Sequence, residues 1–230
     1  MLLAAYHALR LTLARSGFYA GYIAAAIVAQ AAIVLLWRAP EAIVIAQATI
    51  LPVLSAIVYA FAYADTQAQE TPDSQVWLRV LERSWAVIAI DYGLNAIIGA
   101  ALGSPQSSAN LFGALAGGLL LFLTALLLFA DVSATVDDGD GTLLLIPRSI
   151  LRSVAAALYP GNILGAIAIV SMELVLAMLE GLLSQALVAA HVAHALLWAS
   201  VPLTTVATVP IGVYTTLLYL RYQNKKPSAT

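Results

Sequence analysis

The chain has no cysteine, which excludes disulfides, cysteine-ligated zinc, iron–sulfur clusters and thiol nucleophiles within it. It is also poor in charge. Asp, Glu, Lys and Arg make up 10% of its 230 residues, against about 25% in a soluble domain. A formal net charge of −2 leaves no basic face for phosphates, so nucleic acid is not expected as a partner. Catalytic signatures are missing too. No G-x-x-x-x-G-K, H-E-x-x-H, G-x-S-x-G or G-x-G-x-x-G stands in a supporting context, which argues against a nucleotide cradle, a zinc-protease helix and an esterase elbow. No cofactor is implied, and the chain is not expected to be an enzyme.

What the sequence does contain is apolar. Hydrophobic residues make up 62% of it, against about 45–50% in soluble domains, so lipid must solvate the surplus. A helix needs about 20 apolar residues to cross about 30 Å of hydrocarbon. Six stretches reach that length: about Gly17–Leu36, Ile43–Tyr63, Trp85–Gly103, Leu111–Ala130, Ile163–Ala189 and Ala195–Leu220. The expected fold is all-α, one transmembrane domain of six helices over 1–230. The runs are continuous rather than alternating, which argues against a β-barrel. The first follows a basic start, but its length and the Trp37-Arg38 closing it favour a retained anchor over a cleaved signal peptide.

The cations divide by side. Arg10, Arg15, Arg79, Arg83, Arg148, Arg152, Arg221, Lys225 and Lys226 fall on one side of a six-span chain, and Arg38 alone on the other. By the positive-inside rule both termini are cytoplasmic, and a bacterial inner (cytoplasmic) membrane is the expected location.

Arginine followed by serine recurs with a period. In "ALRLTLARSGF" (8–18), "WLRVLERSW" (77–85) and "IPRSILRSV" (146–154), Arg10, Arg79 and Arg148 are 69 residues apart. Arg15-Ser16, Arg83-Ser84 and Arg152-Ser153 follow at steps of 68 and 69. The spacing reads as three tandem two-helix hairpins over approximately 1–68, 69–137 and 138–230. Such parallel repeats differ from the inverted ones of many secondary transporters. A need for positive charge in each inner loop explains the side but not the spacing. In the second phrase Val76, Trp77, Val80, Leu81 and Trp85 share a helical face, which suits a helix lying in the headgroup zone. Pro147 suits the first turn of the third such helix, after a flexible acidic loop "DDGDG" (137–141) whose spacing fits no calcium frame. Each arginine pair is read as a topology anchor, with an anionic-lipid or partner-binding cuff as the sharper alternative.

Polar groups at membrane depth are the candidate site. Asp91 and Asn95 lie one turn apart in the third span, and Glu173 and Glu180 share a face of the fifth. Buried charge in hydrocarbon costs several kcal/mol unless paired, protonated or hydrated, so these residues serve either helix contacts or a cation or proton path. His191 and His194, spaced i, i+3, could share a metal but lack a third ligand, so no metal is expected. Pro52, Pro202 and Pro210 fall within spans, where neighbouring threonines could satisfy the carbonyls that proline frees.

"LERSW" (81–85), the passage "DGDG…IPRSILRSV" and the closing "VPIGVYTTLLYLRY" (209–222) together resemble a bacterial group of six-helix membrane proteins of poorly defined function. That group is related to the membrane domain found beside glycerophosphodiester phosphodiesterases. The resemblance implies a six-helix membrane fold and carries no catalytic residue to any position here. Two functions lead, a non-enzymatic scaffold or accessory subunit contacting lipids, partner subunits or further copies of itself, and a small transporter using Asp91, Glu173 and Glu180; an intramembrane enzyme comes third.

Overall fold

The computed structural model describes residues 2–37, 42–67, 71–102, 122–137, 141–192 and 194–225. It is all-helical, with no strand among the described residues. Its helices are α1 (Leu2–Ala14), α2 (Ser16–Trp37), α3 (Ala42–Thr66), α4 (Asp73–Leu102), α5 (Ala130–Val136), α6 (Thr142–Ala157), α7 (Ile163–Ala189) and α8 (Ala195–Gln223). Residues 122–127 form a further helical run ahead of α5. Four helices, α2, α3, α7 and α8, are long and apolar enough to cross a membrane. The third expected span is the second half of α4. Of the fourth, Leu111–Ala130, residues 111–121 lie outside the described residues, as does Arg38.

The core is organised by two central helices. α3 packs on α2, α4, α5 and α8, while α8 packs on α1, α2, α3 and α7. Leu54 and Val58 of α3 meet Val209, Val213 and Leu218 of α8 in the main buried cluster. Two glycines allow this closeness. A Cβ at Gly212 would stand 2.9 Å from Val58 Cγ1, and one at Gly165 would stand 2.5 Å from Leu218 Cδ1. Small residues at such points let backbones approach and gain dispersion contact in a solvent that gives no hydrophobic drive.

The three arginine phrases take different forms. The first contains a break at Arg15 between α1 and α2, and the third lies on the separate helix α6. The second departs from expectation. "WLRVLERSW" is no surface helix of its own but the early turns of α4, whose 30 residues run unbroken for about 45 Å. Nothing in its local sequence stops it, because Gly and Pro are absent from Asp73 to Tyr92. Pro147 also lies elsewhere than expected: α6 begins at Thr142, so the proline is inside the helix. α6 ends at a "YPGN" turn, where the buried Asn162 Nδ2 donates to Ala156 O (3.2 Å) and Leu218 O (3.0 Å).

The prolines of α8 are not relieved as the sequence suggests. Pro202 and Pro210 leave the carbonyls four residues earlier, at Trp198 and Val206, without their usual donors. The threonines bond elsewhere: Thr204, Thr205, Thr208, Thr215 and Thr216 hydroxyls donate to Ser200, Val201, Thr204, Ile211 and Gly212 carbonyls. The reason is geometric. A threonine reaches the carbonyl one turn behind itself, and the position serving each freed carbonyl is occupied by the proline.

Candidate functional site

Polar side chains gather in two places, one at an end of the bundle and one within it. At the end, Arg15 meets Asp65 with its planar fork: Nε donates to Oδ2 at 2.7 Å and Nη2 to Oδ1 at 2.6 Å. These charge-assisted bonds raise the Arg15 pKa, with burial opposing them. The guanidinium also lies 5.1 Å from the Phe61 ring centroid and 5.8 Å from that of Phe18. Trp77 packs against Phe18, Tyr22 and Phe61. Arg79 donates to Val136 O at 3.1 Å and lies 5.0 Å from the Tyr63 ring.

The buried Asp137 is the largest node of this end. Ser133 Oγ and Tyr219 OH each donate to Oδ2 at 2.6 Å, and Arg152 Nη1 donates to it at 3.1 Å. Gln223 Nε2 donates to Oδ1. The first aspartate of "DDGDG" is therefore a buried acceptor joining α5, α6 and α8, not part of a solvated acidic loop; residues 138–140 lie outside the described residues. Its neighbours explain the difference, since four donors supply the bonds that burying a carboxylate requires. Of the arginine candidates, Arg15, Arg79 and Arg152 thus engage protein groups; by exposure, Arg10 and Arg148 are exposed and Arg83 is half-buried, and Arg148 too has an interaction within the protein.

The inner cluster joins four helices. Asp91 of α4 lies within hydrogen-bonding reach of Asp131 of α5, and Glu173 of α7 lies within the electrostatic range of Asp91. Tyr59 of α3, buried and with Ser55 as a hydrogen-bond partner, lies within the electrostatic range of all three carboxyls. Asp131 Oδ1 is sealed from solvent without a hydrogen-bond partner among the described residues. No Lys or Arg occurs in the sequence from 84 to 147, which covers both aspartates. Asp91 and Glu173 are therefore brought into one cluster, while the side chain of Asn95 lies outside the described residues.

Glu180 stands apart from that cluster. Its Oε2 accepts from Ser200 Oγ at 3.3 Å, and Ser200 in turn accepts from Gln47 Nε2 at 2.7 Å. His191 and His194 flank the turn after α7, both exposed and both with left-handed backbones (φ 56° and 55°). Among the described residues no group of three or more His, Cys, Asp or Glu could hold a metal ion.

Several of these residues gave no sequence signal that was read. Asp131 falls just past the expected end of span four, yet the helical run continues to Val136. Gln30, fully buried and donating to Thr205 Oγ1 at 3.0 Å, ties α2 to α8. Asp65 and Asp137 could have been found by asking which acids stand nearest the repeated arginines at a span end. No family model matches this chain, and no curated protein or solved structure matches it either.

Proposed function

We propose that this chain is a non-enzymatic integral membrane protein that works by packing against lipids and partner subunits, as a scaffold or accessory component. One observation carries the reading. Beyond Ile169, α7 has no buried residue among those described, yet it carries Glu173 and Glu180. Glu180 is half-buried and lies about 14 Å of helix before Ala189. A carboxyl at that depth is costly to leave against lipid, and its one serine donor, at 3.3 Å, is weak relief. Around it Met178, Leu179, Leu182 and Leu183 are exposed. A covering helix from a partner subunit or a second copy satisfies both the apolar face and the acid. A photo-crosslinker at Met178 tests this. Protein adducts of defined mass are expected, whereas lipid adducts alone on a monomer would remove the proposal.

The topology proposed with it has six spans and cytoplasmic termini. The Arg79–Val136 contact supports the fourth crossing. Arg79, in the early turns of α4, and Val136, at the end of α5, stand at the same end of the bundle, as a return crossing between them would have it. The kinship with the six-helix group rests on its three phrases alone, and the triple repeat on the spacing of its arginines.

A second reading has its own support. Asp91, Asp131 and Glu173 lie within the electrostatic range of Tyr59, with no Lys or Arg in the sequence from 84 to 147 or from 153 to 220, and acids so placed are held by shared protons or a bound cation. That is the arrangement a proton-coupled transporter uses. Proteoliposomes with an internal pH-sensitive dye separate the two functions: acid-driven flux lost in Asp131→Asn favours transport, and no flux in the parent protein rejects it.

A further inference from the structure

The apolar outside of α1 is unusual for a helix ahead of the first span. Leu3, Tyr6, Leu9 and Leu13 are exposed, while Ala4, Ala8 and Leu11 pack into the main cluster shared with α8. Both faces are therefore apolar, which suits a helix lying at the level where acyl chains meet headgroups. Between α1 and the last turns of α8 lies a cavity of about 430 Å³ lined by Leu3, Ala4, His7, Leu217 and Arg221. Its polar groups are the His7 imidazole and the Arg221 guanidinium, and its walls are leucine and alanine. Arg10 follows His7 by three residues on α1, about one turn away, and Lys225 follows Arg221 by four in the turn just past α8, and both are exposed. Arg221 Nη1 reaches Gly161 O at 3.4 Å, a long bond that anchors the guanidinium without neutralising it. Among the described residues no carboxylate lines the cavity.

We propose that this cavity binds a phosphate ester, the headgroup of an anionic phospholipid, with its acyl chains laid along the exposed leucines of α1. The chemistry is that of a positive mouth with apolar walls: a guanidinium fork matches phosphate oxygens, imidazole N–H adds a further donor, and the apolar rim suits a lipid rather than a fully hydrated anion. The site lies at the same end as the Arg15, Arg79 and Arg152 contacts but uses none of them. It stands whether or not α7 docks a partner.

Native mass spectrometry of the intact protein in mild detergent tests the assignment, with phosphatidylglycerol, phosphatidylcholine and inorganic phosphate as probes. Phosphatidylglycerol is expected to survive activation that strips phosphatidylcholine. A variant carrying both His7→Gln and Arg221→Gln should retain it about tenfold less, the scale of a lost charge-assisted contact. Failure of inorganic phosphate to displace the lipid assigns the site to a headgroup. Displacement by phosphate at matched concentration supports the same phosphate chemistry but assigns it to a soluble ester. Equal retention of the two lipids, or a variant that binds as the parent does, overturns the proposal. Should the variant lose its helicity, hydrogen exchange on the parent protein decides: phosphatidylglycerol should slow exchange across 2–14 more than phosphatidylcholine does, and unchanged exchange overturns the site.

Discussion

A single carboxylate, Asp137, gathers more of the end of this bundle than any arginine pair does. Its donors come from α5, α6 and α8, and the bonds from Tyr219 and Gln223 join residues 82 and 86 positions apart in the chain. Hydrogen bonds to a charged acceptor contribute about 1.5–3 kcal/mol each, and truncating the acceptor removes the bonds that Tyr219 and Arg152 make to it. Tyr219→Phe should therefore lower the melting temperature in detergent by several degrees, and Asp137→Ala by much more, about 3–5 kcal/mol of lost stability. Equal melting of parent and Asp137→Ala would show the node to be inert. His194 makes the opposite case. Its left-handed backbone (φ 55°) costs about 1 kcal/mol that glycine avoids, so His194→Gly should raise the melting temperature slightly. At this scale the sequence was legible where composition forces the answer, as with carboxyls inside apolar runs. It was silent on Asp137, because a buried acceptor and a solvated loop aspartate read alike until the donors are known.

One hydroxyl organises a whole element. The helical run from Phe122 to Val136 breaks at Leu128 and Phe129. Into the break Ser153 of α6 inserts its hydroxyl, accepting from Phe129 N–H at 3.0 Å and donating to Leu126 O at 2.7 Å. An inserted side chain is a recognised cause of a helix kink. Ser153→Ala removes the partner of a buried N–H and should cost about 1–3 kcal/mol. Ser153→Thr keeps the hydroxyl and should recover part of that, which separates the bond from mere volume. The third serine of the repeated phrase thus has a task that its spacing could not reveal. The α3–α8 contact is the other element-scale test. Gly212→Val drives a side chain into Val58, an overpacking worth about 1–3 kcal/mol, and should lower the melting temperature while Gly17→Ala, in open space, leaves it unchanged. Helix existence was easy to read from long apolar runs. Their junctions were not, since the absence of Gly and Pro from Asp73 to Tyr92 permits α4 to run on through "LERSW" without requiring it, and the packing of α3 and α5 decides.

Across the whole molecule, the arginine contacts tie one end of the bundle together: the α1–α2 junction to α3 through Arg15 and Asp65, α4 to α5 through Arg79 and Val136, the end of α5 to α6 and α8 through Asp137. The cation count reads this end as cytoplasmic, and the cysteine-free chain is a ready background for testing it. Three single substitutions suffice. Ala5→Cys sits on exposed α1, His191→Cys on the exposed turn between α7 and α8, and Ser107→Cys in the segment between the third and fourth expected spans. In intact cells, a membrane-impermeant maleimide should label positions 191 and 107 and spare position 5 until the membrane is opened. Position 107 is the decisive one. If α4 stops within the bilayer and the chain turns back, that residue is shielded from both sides and the six-span topology falls. If it labels from outside alongside position 191, the six-span topology stands, in keeping with Val136 and Arg79 meeting at one end of the bundle.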